Sequence, residues 1–153
     1  MRAMRMFVAL IVVGGILSVA PAAAPDSATA ALTRTGAATR DVPATYTPKV
    51  PIAVTIDVWP SGDTQAWAVE EVVPDGWRVS AISAEGHWDQ AANTVRWGPF
   101  FDSAVKNLKY SLTAPAGTTG AQELKGTASF DGEDVVVAGK KALQATPVTQ
   151  PGR

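Results

Sequence analysis

The chain of 153 residues contains no cysteine and a single histidine. Disulfides and thiolate metal sites are therefore excluded. So is a lipid anchor of the kind that needs a cysteine just after a cleaved leader. Without disulfides, a domain of this size must be held by its hydrophobic core alone, which about 100 residues can supply with a modest margin. The one histidine, His87, has no second histidine, cysteine or suitably spaced glutamate near it. A metal centre or a catalytic base with its orienting partner needs such neighbours, so His87 reads as a surface residue beside a hairpin.

Catalytic signatures are also missing. There is no G-x-S-x-G, no H-E-x-x-H and no phosphate-cradling glycine loop. Glu70 and Glu71 are adjacent on an extended segment, where neighbouring side chains point to opposite faces. They cannot form a facing pair of carboxylates, and one of them must turn inward or sit at a bulge. "DGED" at 131–134 lacks the alternating ligands and closing glutamate of a helix–loop–helix calcium site. No cofactor and no metal are expected, and the chain is expected not to be an enzyme. Basic residues are scarce too. Without Arg2 and Arg5, eleven remain against fourteen acidic ones. With no basic patch, nucleic acid is excluded as a partner.

What is present begins with a leader. "MRAMRM" carries two arginines, "FVALIVVGGILSVA" spans residues 7–20 without a charge, and "APA" follows at 20–22. That order of charged, apolar and small segments is expected to be a signal peptide over residues 1–22. A retained membrane anchor is the competing reading, but the run has 14 residues where a hydrocarbon core needs about 20. No later apolar run is long enough to span a membrane after cleavage, so an exported protein is expected, periplasmic, secreted or at the cell surface.

Residues 23–45 are rich in alanine and threonine, with Leu32 and Val42 the only large apolar side chains. Such a segment buries too little to offset its ordering entropy and is expected to be a disordered linker. The tail, residues 139–153, has the same character and is expected to be flexible. The folded domain is placed at 46–138.

Inside it the hydrophobic period is two. Ile52, Val54, Ile56 and Val58 alternate with Ala53, Thr55 and Asp57, the pattern of a half-buried strand. Leu108, Tyr110 and Leu112 repeat it, as do Leu124, Gly126, Ala128 and Phe130. Shorter runs and the turn signals "PSGD", "PDG", "APAG" and "DG" complete a chain with no helix of useful length. The expected fold is an all-β, immunoglobulin-like antiparallel sandwich of about seven strands.

The aromatic stretch "EGHWDQAANTVRWGPFFD", residues 85–102, is expected to be a hairpin with "AANT" (91–94) as its loop. Trp88 then lies opposite Trp97, and Asp89 opposite Arg96. Such pairs fix register, so these four residues read as structural. Trp59 and Trp67 admit another reading. If "WPSGDTQAW" closes a hairpin, the two become solvent-facing cross-strand neighbours, a stacking platform for a sugar ring or a partner surface. Burial of either would remove that platform.

The order of segments "EVVPDGW" (71–77), "GHWD" (86–89), "VRW" (95–97) and "GTASF" (126–130) resembles the bacterial surface-protein conserved repeat domain, domain of unknown function eleven. Glu71 stands where that pattern has aspartate, and Trp77 and "GPFFD" depart from it. The resemblance implies an immunoglobulin-like module used as spacer, stalk or adhesion domain, with no catalytic residues to carry over. It further implies that Pro74 and Gly76 turn the chain between strands, while Trp88 and Trp97 belong to hairpin and core. The expected function is that of a non-enzymatic structural or interaction module of the cell envelope or secretome, its partner an unidentified protein or polysaccharide. A carbohydrate-binding module using Trp59 and Trp67 is the alternative.

Overall fold

The computed structural model describes residues 36–147, none of which is helical. Thirteen strands follow in chain order: β1 (Ala37–Asp41), β2 (Thr45–Tyr46), β3 (Pro51–Trp59), β4 (Trp67–Val72), β5 (Arg78–Ser80), β6 (His87–Asp89), β7 (Thr94–Phe100), β8 (Lys106–Thr113), β9 (Ala121–Glu123), β10 (Lys125–Phe130), β11 (Glu133–Val136), β12 (Ala138–Gly139) and β13 (Ala142–Ala145). Ten of them form two five-stranded sheets, ordered β12-β1-β3-β8-β5 and β11-β10-β4-β7-β6. The remaining three, β2-β13-β9, make a small third sheet.

The alternation in the sequence translates directly into the two layers. On β3, Val54, Ile56 and Val58 are buried; on β8, Leu108, Tyr110 and Leu112; on β10, Ala128 and Phe130. The pairing β3·β8 is antiparallel and runs from Pro51↔Thr113 to Val58↔Lys106. In the other sheet β4 lies between β10 and β7. These non-consecutive neighbours give the chain the Greek-key crossing of an immunoglobulin-like sandwich. Each fully buried Val, Leu or Ile contributes about 1.5–3 kcal/mol of apolar burial.

The two flanks of the sandwich differ. On one, the chain passes from β11 in the second sheet to β12 in the first, with Val137 buried at the crossing and its N–H donating to Gly126 O. On the other flank the edges are β5 and β6. Both strands are three residues long, which limits the unpaired backbone they expose. Residues 81–86 link them.

The domain is longer than expected at both ends. Residues 37–41 and Thr45, placed in the linker, form β1 and the first residue of β2, and β1 pairs with β3 along its whole length. Its inward positions carry Ala38 and Arg40, with Val42 just after it, all buried. One small and one charged side chain among three left no apolar alternation to read. Likewise β13 lies in the supposed tail, held by the single buried leucine Leu143 and by pairing with β2 and β9. The signal peptide expected at 1–22 and linker residues 23–35 lie outside the described residues, as does the end of the tail.

Candidate functional site

The tryptophan platform is not formed. Trp59 ends β3 in the first sheet and is 44% exposed, while Trp67 begins β4 in the second sheet and is 2% exposed. Trp67 packs on Phe100 and Phe130, with ring centroids 4.4 and 6.4 Å away, and its Nε1 donates to Asp102 O at 2.9 Å. Chain 60–66 is thus a crossover between sheets rather than a hairpin turn. Trp67, Val69, Glu71 and Val73 share the inward face of β4 and the residue after it.

The 85–102 stretch is a hairpin, but its register is shifted by two residues from the expected one. His87 lies opposite Arg96, Trp88 opposite Val95, and Asp89 opposite Thr94. The loop starts one residue earlier than expected because Asp89 Oδ1 accepts the N–H groups of Ala91 and Ala92, each at 3.1 Å. Asn93 closes it with a left-handed φ of 50°. Trp97 is fully buried; it lies opposite Val69 and donates from Nε1 to Ser83 O. The ion pair survives the shift: Arg96 reaches Asp89 at 2.7 Å on the diagonal and Glu70 at 2.8 Å on β4. The backbone N–H of Ala92, followed by Arg96, lowers the Asp89 carboxyl below its ordinary value. These groups are exposed and screened, so Arg96→Ala is expected to shift the unfolding midpoint far less than any core truncation. The shift should shrink further as salt is raised past the range where exposed charges act on one another. A large loss in urea denaturation that high salt leaves unchanged would contradict this.

Pro74 and Gly76 do form a turn between β4 and β5. The Trp77 N–H donates to Pro74 O at 3.3 Å, and Gly76 has a φ of 77°, which glycine adopts without a Cβ penalty.

The feature that sequence reading missed lies between the sheets. Arg40 of β1 makes a two-point ion pair with Glu71 of β4, Nε to Oε1 and Nη2 to Oε2. Their side chains are 1% and 0% exposed. Arg40 Nη1 also donates to Lys140 O at 3.2 Å, and the Tyr110 hydroxyl on β8 donates to Glu71 Oε1 at 3.3 Å. Room for this comes from Gly126 on β10: a Cβ there would stand 2.6 Å from Arg40 Nη2 and on top of Glu71 Oε2. Burial pushes the Glu71 carboxyl up from its ordinary value, against the pull of Arg40 and Tyr110. Burial, followed by the Glu71 charge, pushes the Tyr110 hydroxyl well above its usual range. Chemically the cluster is a cross-tie between sheets. Its donors and acceptors face one another, and no buried side-chain polar atom among the described residues lacks a partner.

No family model matches the chain, and no curated protein matches it.

Among the concavities of the described surface is a groove of about 440 Å³ between the ends of edge strands β5 and β6. Trp77, Val79 and Trp88 line it at inward positions of the two edges, and Arg78, Gln90 and Asn93 at its rim. Among the described residues no group of three or more acidic or imidazole side chains is placed to hold a metal ion.

Proposed function

We propose that the chain is an exported, non-enzymatic interaction module of the cell envelope or secretome, a spacer or adhesion-type domain like the conserved repeat domain it resembles. The observation that carries this reading is the Arg40–Glu71–Tyr110 cluster. The acid and base that a sandwich of this size could have turned towards a substrate are committed to tying its two sheets together. A cross-tied sandwich is a rigid display scaffold: loops and short edges are held in fixed positions. The leader-like order of residues 1–22 supports export.

Expression in a bacterial host with fractionation and N-terminal sequencing tests the export part. The expected product is found outside the cytoplasm and starts at residue 23 or within a few residues of it. Cytoplasmic retention of the uncleaved chain would overturn the reading.

A further inference from the structure

We infer that the groove between β5 and β6 binds a saccharide chain, with Trp88 as its principal contact and Arg78, Gln90 and Asn93 as its polar rim. This rests on the interaction-module reading and gives it a ligand class.

The groove exists because of how the sandwich ends. Inward positions elsewhere are covered by the opposite sheet, but β5 and β6 are the outermost strands on this flank. Their inward side chains, Trp77 and Val79 on one side and Trp88 on the other, flank a space of about 440 Å³. That volume lies in the range of small-ligand sites, and such sites combine apolar walls with a few placed polar groups. Trp77 is fixed from behind by Tyr46, edge to face at 4.9 Å, so this wall is preformed. Trp88 is only partly buried; a half-covered indole at an edge has apolar area still to bury.

The rim decides the chemistry. The Arg78 side chain is exposed and has no hydrogen-bond or ion-pair partner among the described residues. Asn93 is held in place by donating from Nδ2 to Asp75 Oδ1 at 2.6 Å, which ties the β4–β5 turn to the β6–β7 loop. The rim thus offers a guanidinium donor and two amides that both donate and accept. A proline-rich or purely apolar peptide would leave these groups desolvated and unmatched, which costs affinity. Hydroxyl groups satisfy donors and acceptors alike, and a pyranose ring adds an apolar face for the indole. An extended, equatorially linked neutral saccharide matches both halves of the groove.

The full chain is titrated by calorimetry and tryptophan fluorescence with cellohexaose, chitohexaose and maltohexaose, the last being the coiled, α-linked control. Saturable binding of at least one β-linked hexasaccharide, tighter than maltohexaose, is expected. Trp88→Ala should weaken it about tenfold, the loss of roughly one stacking contact. Arg78→Gln, a surface change that leaves the thermal midpoint in place, should weaken it severalfold. No binding to either β-linked chain, or binding that both variants leave untouched, overturns the saccharide site while the module reading stands. Shortened oligosaccharides in the mixture would instead overturn the non-enzymatic reading.

Discussion

Arg40→Met is expected to remove about 3–5 kcal/mol of folding stability at pH 7, the cost of leaving a buried carboxylate without its partner. Domains of this kind have roughly 5–15 kcal/mol in all, so urea denaturation followed by tryptophan fluorescence should show a midpoint lowered by about a fifth or more. The reason is geometric. Glu71 is completely buried, and Arg40 meets both of its oxygens. The Tyr110 hydroxyl at 3.3 Å is a poor replacement for a guanidinium. Arg40→Met combined with Glu71→Met should regain most of the loss, because an apolar pair of similar volume is often as stable as the ion pair it replaces. If the double variant is no better than the single one, the loss comes from packing and not from the stranded charge.

The same variant carries a pH signature. Burial already raises the Glu71 carboxyl above its ordinary value despite Arg40; without Arg40 only the Tyr110 hydroxyl opposes the upward push. A group whose value is raised on folding gives its full stabilisation below its unfolded value and loses it as pH rises through the folded one. The deficit of Arg40→Met relative to the parent should therefore be smallest near pH 4 and grow towards pH 7. Exposed Asp89, Asp102 and Glu123 are lowered by backbone N–H groups or lysine. They weaken the fold as pH falls, but do so in both proteins and cancel in the difference. A deficit constant across that range would show that Glu71 is not the group left stranded.

How much of this was legible in the sequence depends on whether the inward residues were apolar. Strands β3, β8 and β10 announced themselves because Val54, Ile56, Leu108, Leu112 and Phe130 repeat at a period of two. Strand β1 did not, because its central inward residue is Arg40, and nothing local reveals that a carboxylate 31 positions away will neutralise it. The same partnership hid the orientation of β4. One of Glu70 and Glu71 had to face inward and the sequence did not say which; the buried arginine makes the face of Glu71, with Trp67 and Val69, the core face. The hairpin at 87–100 was read with the correct faces and a register two residues off. A slip of two preserves every inward and outward assignment, so hydrophobic pattern could not expose it; the Asp89 cap does. The groove at β5 and β6 belongs to the tertiary arrangement of two edges, and neither edge by itself encodes it.

Trp67→Ala separates a core tryptophan from a ligand-binding one, and is expected to cost about 3–5 kcal/mol. The indole sits at the start of β4, buried between Phe100 and Phe130 and hydrogen-bonded to Asp102 O. The neighbouring backbone is shaped to it. Opposite Ala68 the β7 chain bulges, with Trp67↔Phe100 and Val69↔Trp97 in register and Gly98–Pro99 between them. Gly98 has a φ of 97°, and a Cβ there would stand 2.8 Å from Trp67 O. Little around the site can collapse into the void, which places the loss at the upper end of large-to-small changes. Trp67→Phe keeps an aromatic ring against Phe100 and should lose only about 1–2 kcal/mol, for the missing hydrogen bond and part of the packing. Trp59→Ala, at a side chain 44% exposed on the other sheet, should stay within about 1 kcal/mol of the parent. Denaturation curves of the three variants decide the matter. Equal, small losses for Trp59→Ala and Trp67→Ala would restore the two tryptophans as a surface pair. The expected inequality removes Trp67 from any binding surface and leaves Trp88 as the indole whose truncation tests ligand contact.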